Sequence, residues 1–450
     1  MEDACLKGLI LKKLSLDVLV KTSWLILIVL FLYQFALVCT YSVDVPFKDE
    51  WTYLSPHHPL TLPENLTLNW LFARILEHTI VVTNIMTWIN FKMFGLDLYK
   101  QKIINYVLFG ILLALLIHYK NRLIGRNNFR MFPAFLFFLL SPIAVENHSW
   151  AFQSQFHLVL IFFLLMLGNL QSGRLSAANT AIFIFVSILA IYSFAAGVIM
   201  AAVCLVFRNM LLIQSVVADK CTKRNGLLHA AAGMIFIGGT IIYWFQGYER
   251  PKIIPPRSWP VSFEFWDYFL NLLSFGFGFD TQSILPGILV LILTVLPICL
   301  FIIDRKRRFN PGVQSLNAGL IAVLAVSISI AIGRIGVSSP KTSRYVEITF
   351  MLVPLVSMAW WLLLENSKAK YVFLLFLWSS CFFSFLDNWK PTLYLEAYQT
   401  DMATLDCIRN YYTFGGDAVC QEFWVTPAHL EKARRLNIHF MRQIVSVIQP

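Results

Sequence analysis

The sequence predicts an all-α polytopic membrane protein. Of its 450 residues, 58% are apolar and 14% are charged, whereas about 25% of residues are charged in ordinary soluble domains. The mean hydropathy is +0.66, and apolar runs recur along most of the chain. Runs of about 18 or more apolar residues are typical of membrane-spanning helices. A soluble core could not bury this much apolar surface, so we expect the chain to fold in a bilayer.

About eleven apolar segments are interpreted as transmembrane helices. The first is not followed by the small-residue cleavage pattern of a secretory signal peptide, so we interpret it as a retained span. The eleven segments are 22–41, 101–119, 130–146, 152–170, 177–193, 195–212, 228–246, 284–303, 314–333, 346–364 and 371–387.

Lys and Arg are concentrated in alternate loops, and this pattern indicates the orientation. Cytoplasmic loops of membrane proteins are enriched in both residues. With the N-terminus in the cytoplasm, the cytoplasmic segments carry 19 Lys and Arg against 6 Asp and Glu, most clearly in "KNRLIGRNNFR" and "DRKRRF". The net charge of +11 therefore reflects topology, and we expect no nucleic acid among the partners. The same alternation places the C-terminus outside the cytoplasm.

Three long segments are predicted outside the cytoplasm. The first extracytoplasmic loop, 42–100, contains "NWLFARILEHTIVVTNIMTWINFKMFG", which we interpret as one or two interfacial helices. The alternative, a full span at 79–95, would invert the charge pattern downstream. Segment 247–283 includes the Pro-rich, non-helical stretch "PKIIPPRSWP". Segment 388–450 is predicted as a small extracytoplasmic C-terminal segment, following a transmembrane domain at 1–387.

Two of the eight cysteines differ from the rest. Cys407 and Cys420 lie thirteen residues apart in the predicted outer C-terminal segment, where the compartment is oxidising. We therefore expect a disulfide between them. The chain contains no CxxC pair and no HExxH motif, so no structural zinc site is predicted.

Ionisable and polar side chains gather at the predicted outer ends of the spans. Such groups are costly near a bilayer and indicate function. A carboxylate can take a proton from an attacking hydroxyl, and Arg binds phosphate through paired charge-assisted hydrogen bonds. The pattern favours a phosphorylated substrate. The candidate catalytic residues are Asp44, Asp49 and Glu50; the candidate substrate-binding residues are Glu77, His78, Gln153, Gln155, Arg334, Lys341, Arg344 and Tyr345.

Simpler interpretations of these residues stay open. Glu50 fits a solvated loop, and Arg334 and Arg344 fit anchors whose charged ends reach the interface. Gln153 and Gln155 would serve equally well to cap or bridge helices or to bind sugar hydroxyls.

Five short motifs in order, over about residues 20–390, carry a resemblance to a known family. They are "DVPFKDEW", "LEHTI", "WAFQSQFHL", "YSFAAGV" and "GRIGVSSPKTSRYVE". In this order, the chain resembles the GT-C superfamily of integral-membrane glycosyltransferases, in particular the bacterial glucosyltransferases that modify O-antigen. The resemblance implies a GT-C-like fold, a polyprenyl-phosphate sugar donor, and a multi-pass protein of the bacterial inner membrane, with its active site on the extracytoplasmic face.

The resemblance also implies residue roles. Asp44, or else Asp49, would be the general base, or a metal ligand in members that need a divalent metal; Asp44, beside Pro46, is the first choice. Arg334 and Arg344 would hold the carrier phosphate. Related bacterial proteins carry an Asn-Glu-His-Arg-like run where this chain has Leu76-Glu77-His78-Thr79, so the two central residues match and the flanking ones differ. Asp44 and Asp49 are spaced more widely than the acids of a compact Asp-x-Asp motif, so the sequence leaves open whether a divalent metal is a cofactor.

The expected reaction is inverting transfer of a hexose to a cell-surface glycan, such as that of lipopolysaccharide, or to a lipid-linked acceptor. A phosphate leaving group needs charge stabilisation rather than a general acid. Three other classes stay open. A membrane acyltransferase would need a different, His-centred site. An O-antigen polymerase or ligase would share the lipid-linked substrate and the outer Arg residues. A transporter or flippase would more often carry paired polar positions within its spans and broken helices.

Overall fold

A computed structural model describes residues 2–125, 132–218, 222–248, 259–279, 283–365, 367–414 and 420–448. These residues are almost entirely helical. A single two-stranded antiparallel hairpin occurs among them, with strands β1 (Arg74–Ile75) and β2 (His78–Thr79). The α-helices of the first half are α1 (Glu2–Tyr41), α2 (Leu68–Leu71), α3 (Val81–Phe94), α4 (Leu98–Ile124), α5 (Phe132–Leu140), α6 (Val145–Ser149), α7 (Ser154–Ser172), α8 (Ala177–Ile191), α9 (Ala196–Val217), α10 (Lys223–Gly233) and α11 (Gly239–Phe245).

The second half continues in the same way, and short 3₁₀ and π turns join several of the helices. Its α-helices are α12 (Phe263–Gly276), α13 (Leu285–Ile303), α14 (Pro311–Arg334), α15 (Ser343–Phe350), α16 (Leu352–Leu363), α17 (Ala369–Asn388), α18 (Thr392–Phe414), α19 (Pro427–Arg435) and α20 (His439–Ile448). The 3₁₀ turns are Lys48–Leu54, Pro142–Ala144, Ala151–Gln153 and Gln421–Phe423, and the π turn is Met234–Gly238.

Nine helices in the described residues are long and apolar enough to cross a membrane. This confirms the predicted all-α polytopic membrane protein. Two of the eleven predicted spans are shorter helices. Segment 177–193 forms the 15-residue α8, and segment 130–146 is divided after α5 by Ser141 and Pro142. Proline has no backbone N–H to continue a helix, which explains the break.

The stretch predicted to form one or two interfacial helices contains the short α2, the β1–β2 hairpin and helix α3, of 14 residues. At 1.5 Å per residue α3 is about 21 Å long, shorter than a hydrocarbon core of about 30 Å. The alternative of a full span at 79–95 is therefore not what the structure shows. The helix ends at Gly95, whose φ of +70° lies in the left-handed region that glycine adopts at helix ends.

Helix α12 was not predicted from the sequence. It follows the Pro-rich stretch of segment 247–283, of which residues 251–258 lie outside the described part. The helix begins at Ser262, which caps it, and nearly all its side chains from Phe265 onward are buried. It packs against α13, α14 and α15. Gly287 of α13 lies so close to the Leu270 carbonyl that a Cβ there would collide with it, so glycine permits this contact.

The bundle is built around α7, which contacts α4, α8, α9 and α14 and buries most of its side chains. These helices share one extended apolar core with α5, α12 and α16. Because α7 and α14 are central, the residues at their ends are held at fixed positions.

A second apolar cluster joins three distant parts of the chain at one end of the bundle. It contains Trp51 of the first loop, Trp150 and Phe152 before α7, and residues of the C-terminal segment such as Phe440. The backbone amide of His439 donates to the Gly95 carbonyl at 2.7 Å. The C-terminal segment therefore packs against the first loop, and the loop, the start of α7 and this segment lie at the same end. The division of the chain at residue 387 stays a prediction.

The Cys407–Cys420 disulfide is present, with the two Cα atoms 6.0 Å apart, and the prediction of this bond is confirmed. It joins α18 to the 3₁₀ turn that precedes α19. Cys420 is buried in the second apolar cluster, so the bond ties the C-terminal helices to the end of the bundle that carries the first loop.

Candidate active site

Seven of the eleven candidate residues chosen from the sequence line one polar pocket at this end of the bundle. The pocket has a volume of about 50 Å³, large enough for a small polar group. It lies where the first loop, the β1–β2 hairpin, the start of α7 and the α14–α15 turn meet. The candidate residues in its wall are Asp49, His78, Gln153, Gln155, Arg334, Arg344 and Tyr345; the other wall residues are Ile75, Leu76, Phe152, Phe156 and Phe194.

Asp49 is the one carboxylate among the described residues that line the pocket. It lies in the 3₁₀ turn Lys48–Leu54. Burial raises the pKa of the Asp49 carboxyl above its ordinary value, while Arg344, Lys48 and Arg334 act in the opposite direction. A carboxylate in such surroundings is more basic than a solvated one, which suits proton abstraction.

Two guanidinium groups reach the pocket from either end of the α14–α15 turn. Arg334 is the last residue of α14 and forms an ion pair with Glu77. Arg344, in the first turn of α15, lies 5.4 Å from the ring centre of Tyr345 and 5.8 Å from that of Trp150. Two partly desolvated guanidinium groups beside one carboxylate form a site for an anion.

His78 reaches the same pocket from the β1–β2 hairpin. Burial and, to a lesser degree, the charge of Arg344 lower the pKa of His78 to about 3, so the imidazole is neutral at physiological pH. Its Nε2 lies 3.3 Å from the Arg334 guanidinium and acts as an acceptor there. Glu77 lines a neighbouring apolar cleft rather than the pocket itself, where it balances part of the Arg334 charge.

Glu50 is directed away from the pocket. It is buried, and its two carboxylate oxygens accept hydrogen bonds from the backbone amides of Phe47 at 2.8 Å and Phe152 at 2.7 Å. Burial raises the pKa of Glu50 to about 7. The side chain therefore fastens the first loop to the 3₁₀ turn Ala151–Gln153, next to the pocket.

Asp44 is also buried outside the pocket. Its Oδ1 accepts from the Leu98 backbone amide at 2.8 Å, and its Oδ2 lies 2.6 Å from His439 Nδ1. Burial raises the pKa of Asp44, although the hydrogen bond to His439 lowers it. Both carboxylate oxygens thus serve to join the first loop to the start of α4 and to the C-terminal segment.

Lys341 does not line the pocket. It lies in the α14–α15 turn, where its backbone amide donates to Ser339 Oγ at 3.1 Å. The sequence could not separate Lys341 from Arg344, since the two residues are three positions apart and share a turn.

One cluster of described residues has ligand atoms close enough to share a metal ion. These atoms belong to Asp44, Asp97 and His439 and lie within 4.8 Å of one another. The Lys100 ammonium lies 2.8 Å from Asp97 and already balances part of this charge. At the polar pocket, by contrast, Asp49 is a single carboxylate facing two guanidinium groups, so its donor set does not fit a divalent cation.

A buried polar network behind the pocket was not recognised from the sequence. Glu347 lies 2.7 Å from His157 Nδ1 and accepts from Asn147 Nδ2. The same Asn147 amide donates to the Arg344 backbone carbonyl at 3.3 Å. The network therefore fixes the first turn of α15, which carries Arg344 and Tyr345. Its members were visible as polar residues within apolar segments, but their pairing depends on the fold.

An apolar cleft adjoins the polar pocket. Its volume is about 340 Å³, and the two cavities share His78, Phe194, Arg334 and Tyr345. The cleft is lined mainly by side chains of α9, α11 and α14, including Val198, Trp244, Ile330 and Ile332. Phe194 lies in a tight turn between α8 and α9, and Gly197, in the first turn of α9, lies against the Ala190 carbonyl. Together the two cavities offer an amphiphile a cationic end and an apolar groove.

These features define a multi-pass, all-α membrane protein with a cationic pocket joined to an apolar cleft. No protein-family model and no curated protein matches this chain. Among solved structures, the chain is similar to ArnT from Cupriavidus metallidurans, in the apo state and bound to undecaprenyl phosphate. Both are 13% identical at a TM-score of 0.42. The matches cover 95% and 93% of this chain and 71% of each ArnT chain. A likeness at this level establishes no shared family, so the chemistry below rests on this chain's own residues.

Proposed function

We propose that this protein is an inverting glycosyltransferase that moves a hexose from a polyprenyl-phosphate carrier to a cell-surface glycan or a lipid-linked acceptor. The observation that carries the proposal is the joint placement of Asp49, Arg334 and Arg344 in one pocket that opens into an apolar cleft. A lone basic pocket would fit many anions. A basic pocket that continues into an apolar groove fits an anion attached to a hydrocarbon chain.

The donor would bind across the two cavities. Its phosphate would accept charge-assisted hydrogen bonds from Arg334 and Arg344, and the first isoprene units would lie in the apolar cleft. Because cavity walls of this kind are mostly apolar with a few polar groups, the polar groups determine which end of the donor enters the pocket. Gln153 and Gln155, both buried, would donate and accept hydrogen bonds with sugar hydroxyls.

The transfer would be a single displacement. The acceptor hydroxyl oxygen forms a bond to the anomeric carbon while its proton passes to the Asp49 carboxylate. The bond between that carbon and the phosphate oxygen breaks, and the phosphate leaves with the bonding electron pair. Arg334 and Arg344 stabilise the negative charge that develops on it. Attack opposite the leaving group inverts the anomeric configuration.

The proposed cellular location rests on the membrane orientation that the distribution of Lys and Arg among the loops predicts. The site would face the extracytoplasmic side of a bacterial inner membrane, because the pocket lies at the end that carries the first loop and the C-terminal segment. An O-antigen or another lipopolysaccharide component is the acceptor expected there.

The test is transfer by the purified protein in lipid nanodiscs, supplied with undecaprenyl-phosphate glucose, galactose or mannose and with lipids extracted from the host. We expect transfer of one of these hexoses with inversion. Asp49→Asn should reduce the rate by at least about a hundredfold, since general-base catalysis contributes about 10²–10⁴. Glu64→Gln is the matched control, because Glu64 is an exposed acid of the same loop. Equal rates for Asp49→Asn and the unchanged protein would exclude the proposed base.

A further inference from the structure

A third cavity is lined in part by Trp150, whose ring centre lies 5.8 Å from the Arg344 guanidinium. We name it the α18 cleft; its volume is about 210 Å³, and it lies between the first loop, α6 and the first turns of α18. Its wall includes Phe47, Glu146, Trp150, Glu396 and Asp401. None of these residues belongs to the proposed donor site.

Two polar groups in the wall of this cleft are buried and have no hydrogen-bond partner among the described residues. One is the indole N–H of Trp150, a residue only 1% exposed, and the other is Oε2 of Glu146. Buried polar groups in proteins nearly always have a partner, supplied by the protein, by water or by a ligand. Both atoms are covered by neighbouring groups; a hydroxyl, which donates and accepts, would pair with both once these groups move aside.

The α18 cleft and the polar pocket are lined by neighbouring residues of the first loop. Phe47 lines the cleft, and Asp49, two residues later, lines the pocket. Between them Lys48 adopts a φ of +43°, a left-handed conformation that is strained for a residue with a side chain. The Lys48 ammonium lies 5.7 Å from the centre of the Trp150 ring and 3.9 Å from Glu146. The chain around Lys48 therefore borders both cavities, while Asp49 itself lines the polar pocket.

The charges of the cleft favour a neutral occupant. Its described wall contains three carboxylates and no Lys or Arg. The Asp401 carboxylate is balanced by Lys102 at 2.8 Å, which leaves Glu146 and Glu396, with Lys48 at the boundary. An anionic group would be repelled here. Carboxylates that accept hydrogen bonds from hydroxyls, beside the aromatic side chains of Phe47 and Trp150, suit the mixed polar and apolar faces of a sugar.

We propose that the α18 cleft binds the acceptor, as a neutral hydroxyl-bearing carbohydrate, and directs one hydroxyl past Trp150 to Asp49. This inference rests on the proposed function and adds the acceptor's chemical class and its route. The hydroxyl would give its proton to Asp49 as its oxygen bonds to the anomeric carbon, and the carrier phosphate would leave with the bonding pair into the donor pocket on the opposite side.

The experiment uses the whole protein in nanodiscs and a maltotriose that carries a photoreactive diazirine. Labelled peptides are identified by mass spectrometry. Two variants alter the cleft: Ala397→Phe fills it, and Glu396→Lys replaces an exposed wall acid, a change that the fold tolerates easily. Their matched controls are exposed residues of the same helix outside the cleft wall: Ala403→Phe adds the same bulk, and Asp406→Lys makes the same change from an acid to a lysine.

We expect labelling of the peptides that contain residues 145–150 and 393–401. Both cleft variants should reduce it at least fivefold while neither control changes it, and maltotriose 6-phosphate should label at least fivefold less. Labelling elsewhere, labelling that both cleft variants leave intact, or equal labelling by the anionic probe would overturn the inference. Undecaprenyl phosphate binding is measured on the same samples. If the unchanged protein does not bind undecaprenyl phosphate, that result counts against the proposed function. If it binds undecaprenyl phosphate but is not labelled by the sugar probe, that result counts against the α18 cleft alone.

Discussion

The Glu50 carboxylate accepts a hydrogen bond of 2.7 Å from the backbone amide of Phe152, 102 positions further along the chain. Its second oxygen accepts from the Phe47 amide. One buried side chain therefore holds both the turn that carries Asp49 and the start of the segment that carries Gln153 and Gln155. The two walls of the polar pocket are joined at this residue.

Replacing Glu50 with Gln should destabilise the protein at low pH. The Gln amide can accept only one of the two hydrogen bonds, and a buried donor without a partner costs about 1–3 kcal/mol. The folded-state pKa of Glu50 is raised to about 7 by burial. This carboxyl therefore contributes stability that is fully present below its unfolded pKa near 4.5 and is lost as pH rises through 7. The stability advantage of the unchanged protein over Glu50→Gln should narrow over that range.

The measurement is the thermal melting temperature of both proteins in detergent from pH 4 to pH 8. Because other groups titrate too, only the difference between the two proteins is compared. If the difference in melting temperature between the two proteins widens as pH rises, the surroundings of Glu50 stabilise its ionised form rather than its neutral form, and the prediction is wrong.

Mutation of Asp44 should mainly affect stability, whereas mutation of Asp49 should mainly affect catalysis. Asp44→Ala leaves the buried Leu98 amide without a partner and removes the contact with His439, so it should lower stability by about 1–3 kcal/mol. Asp49→Asn removes no such contact and should keep the melting temperature while it loses transfer. Parallel melting curves and transfer assays distinguish the two effects. If the Asp44→Ala protein is fully stable but inactive, Asp44 rather than Asp49 is the general base.

Removing the Arg344 charge should weaken binding of the carrier phosphate. A hydrogen bond to a charged group contributes about 1.5–3 kcal/mol, so Arg344→Gln should raise the Kd for undecaprenyl phosphate about tenfold to a hundredfold. Lys341→Gln is the matched control, since it removes one positive charge from the same turn outside the pocket wall. Binding can be followed by calorimetry in nanodiscs. If both variants bind equally well, the phosphate does not occupy the polar pocket.

Loss of the Cys407–Cys420 bond should loosen the C-terminal segment. Removing a native disulfide typically costs about 2–5 kcal/mol, and Cys420 is buried against the cluster that includes Trp51. Cys407→Ser with Cys420→Ser should lower the melting temperature and make residues 427–448 more susceptible to protease. The bond should also form in intact cells, as detected by resistance to maleimide before reduction. Free thiols at both positions in cells would contradict an extracytoplasmic location for this segment.

Much of the fold follows from sequence patterns because its driving force is local. Apolar runs such as 314–333 and 195–212 are long enough to identify as spans without any knowledge of their neighbours. Helix α12 was missed because its burial depends on a tertiary contact, the approach of Gly287 to Leu270, and not on a run of spanning length. Segment 130–146 was overestimated because the break at Ser141 and Pro142 interrupts an otherwise continuous apolar pattern.

For the candidate site, too, local sequence patterns predict some residues, whereas others depend on tertiary contacts. Charge at the ends of spans selects Arg334 and Arg344, and the fold brings them into one pocket. The choice between Asp44 and Asp49 could not be made in this way, because the two lie five residues apart on an irregular loop. The direction of each side chain depends on the left-handed backbone at Lys48 and on partners such as His439 and Phe152 far along the chain.

The pairing of Asp44 with His439 has a consequence for how the protein is made. The two residues are separated by 395 positions, so the first loop emerges from the ribosome long before the segment that holds it in place. Until α20 has been synthesised and inserted at the correct side of the membrane, the loop that carries Asp49 lacks one of its anchors. A chain that lacks α20 would therefore hold the turn that carries Asp49 less firmly, even though every residue that lines the polar pocket is already present.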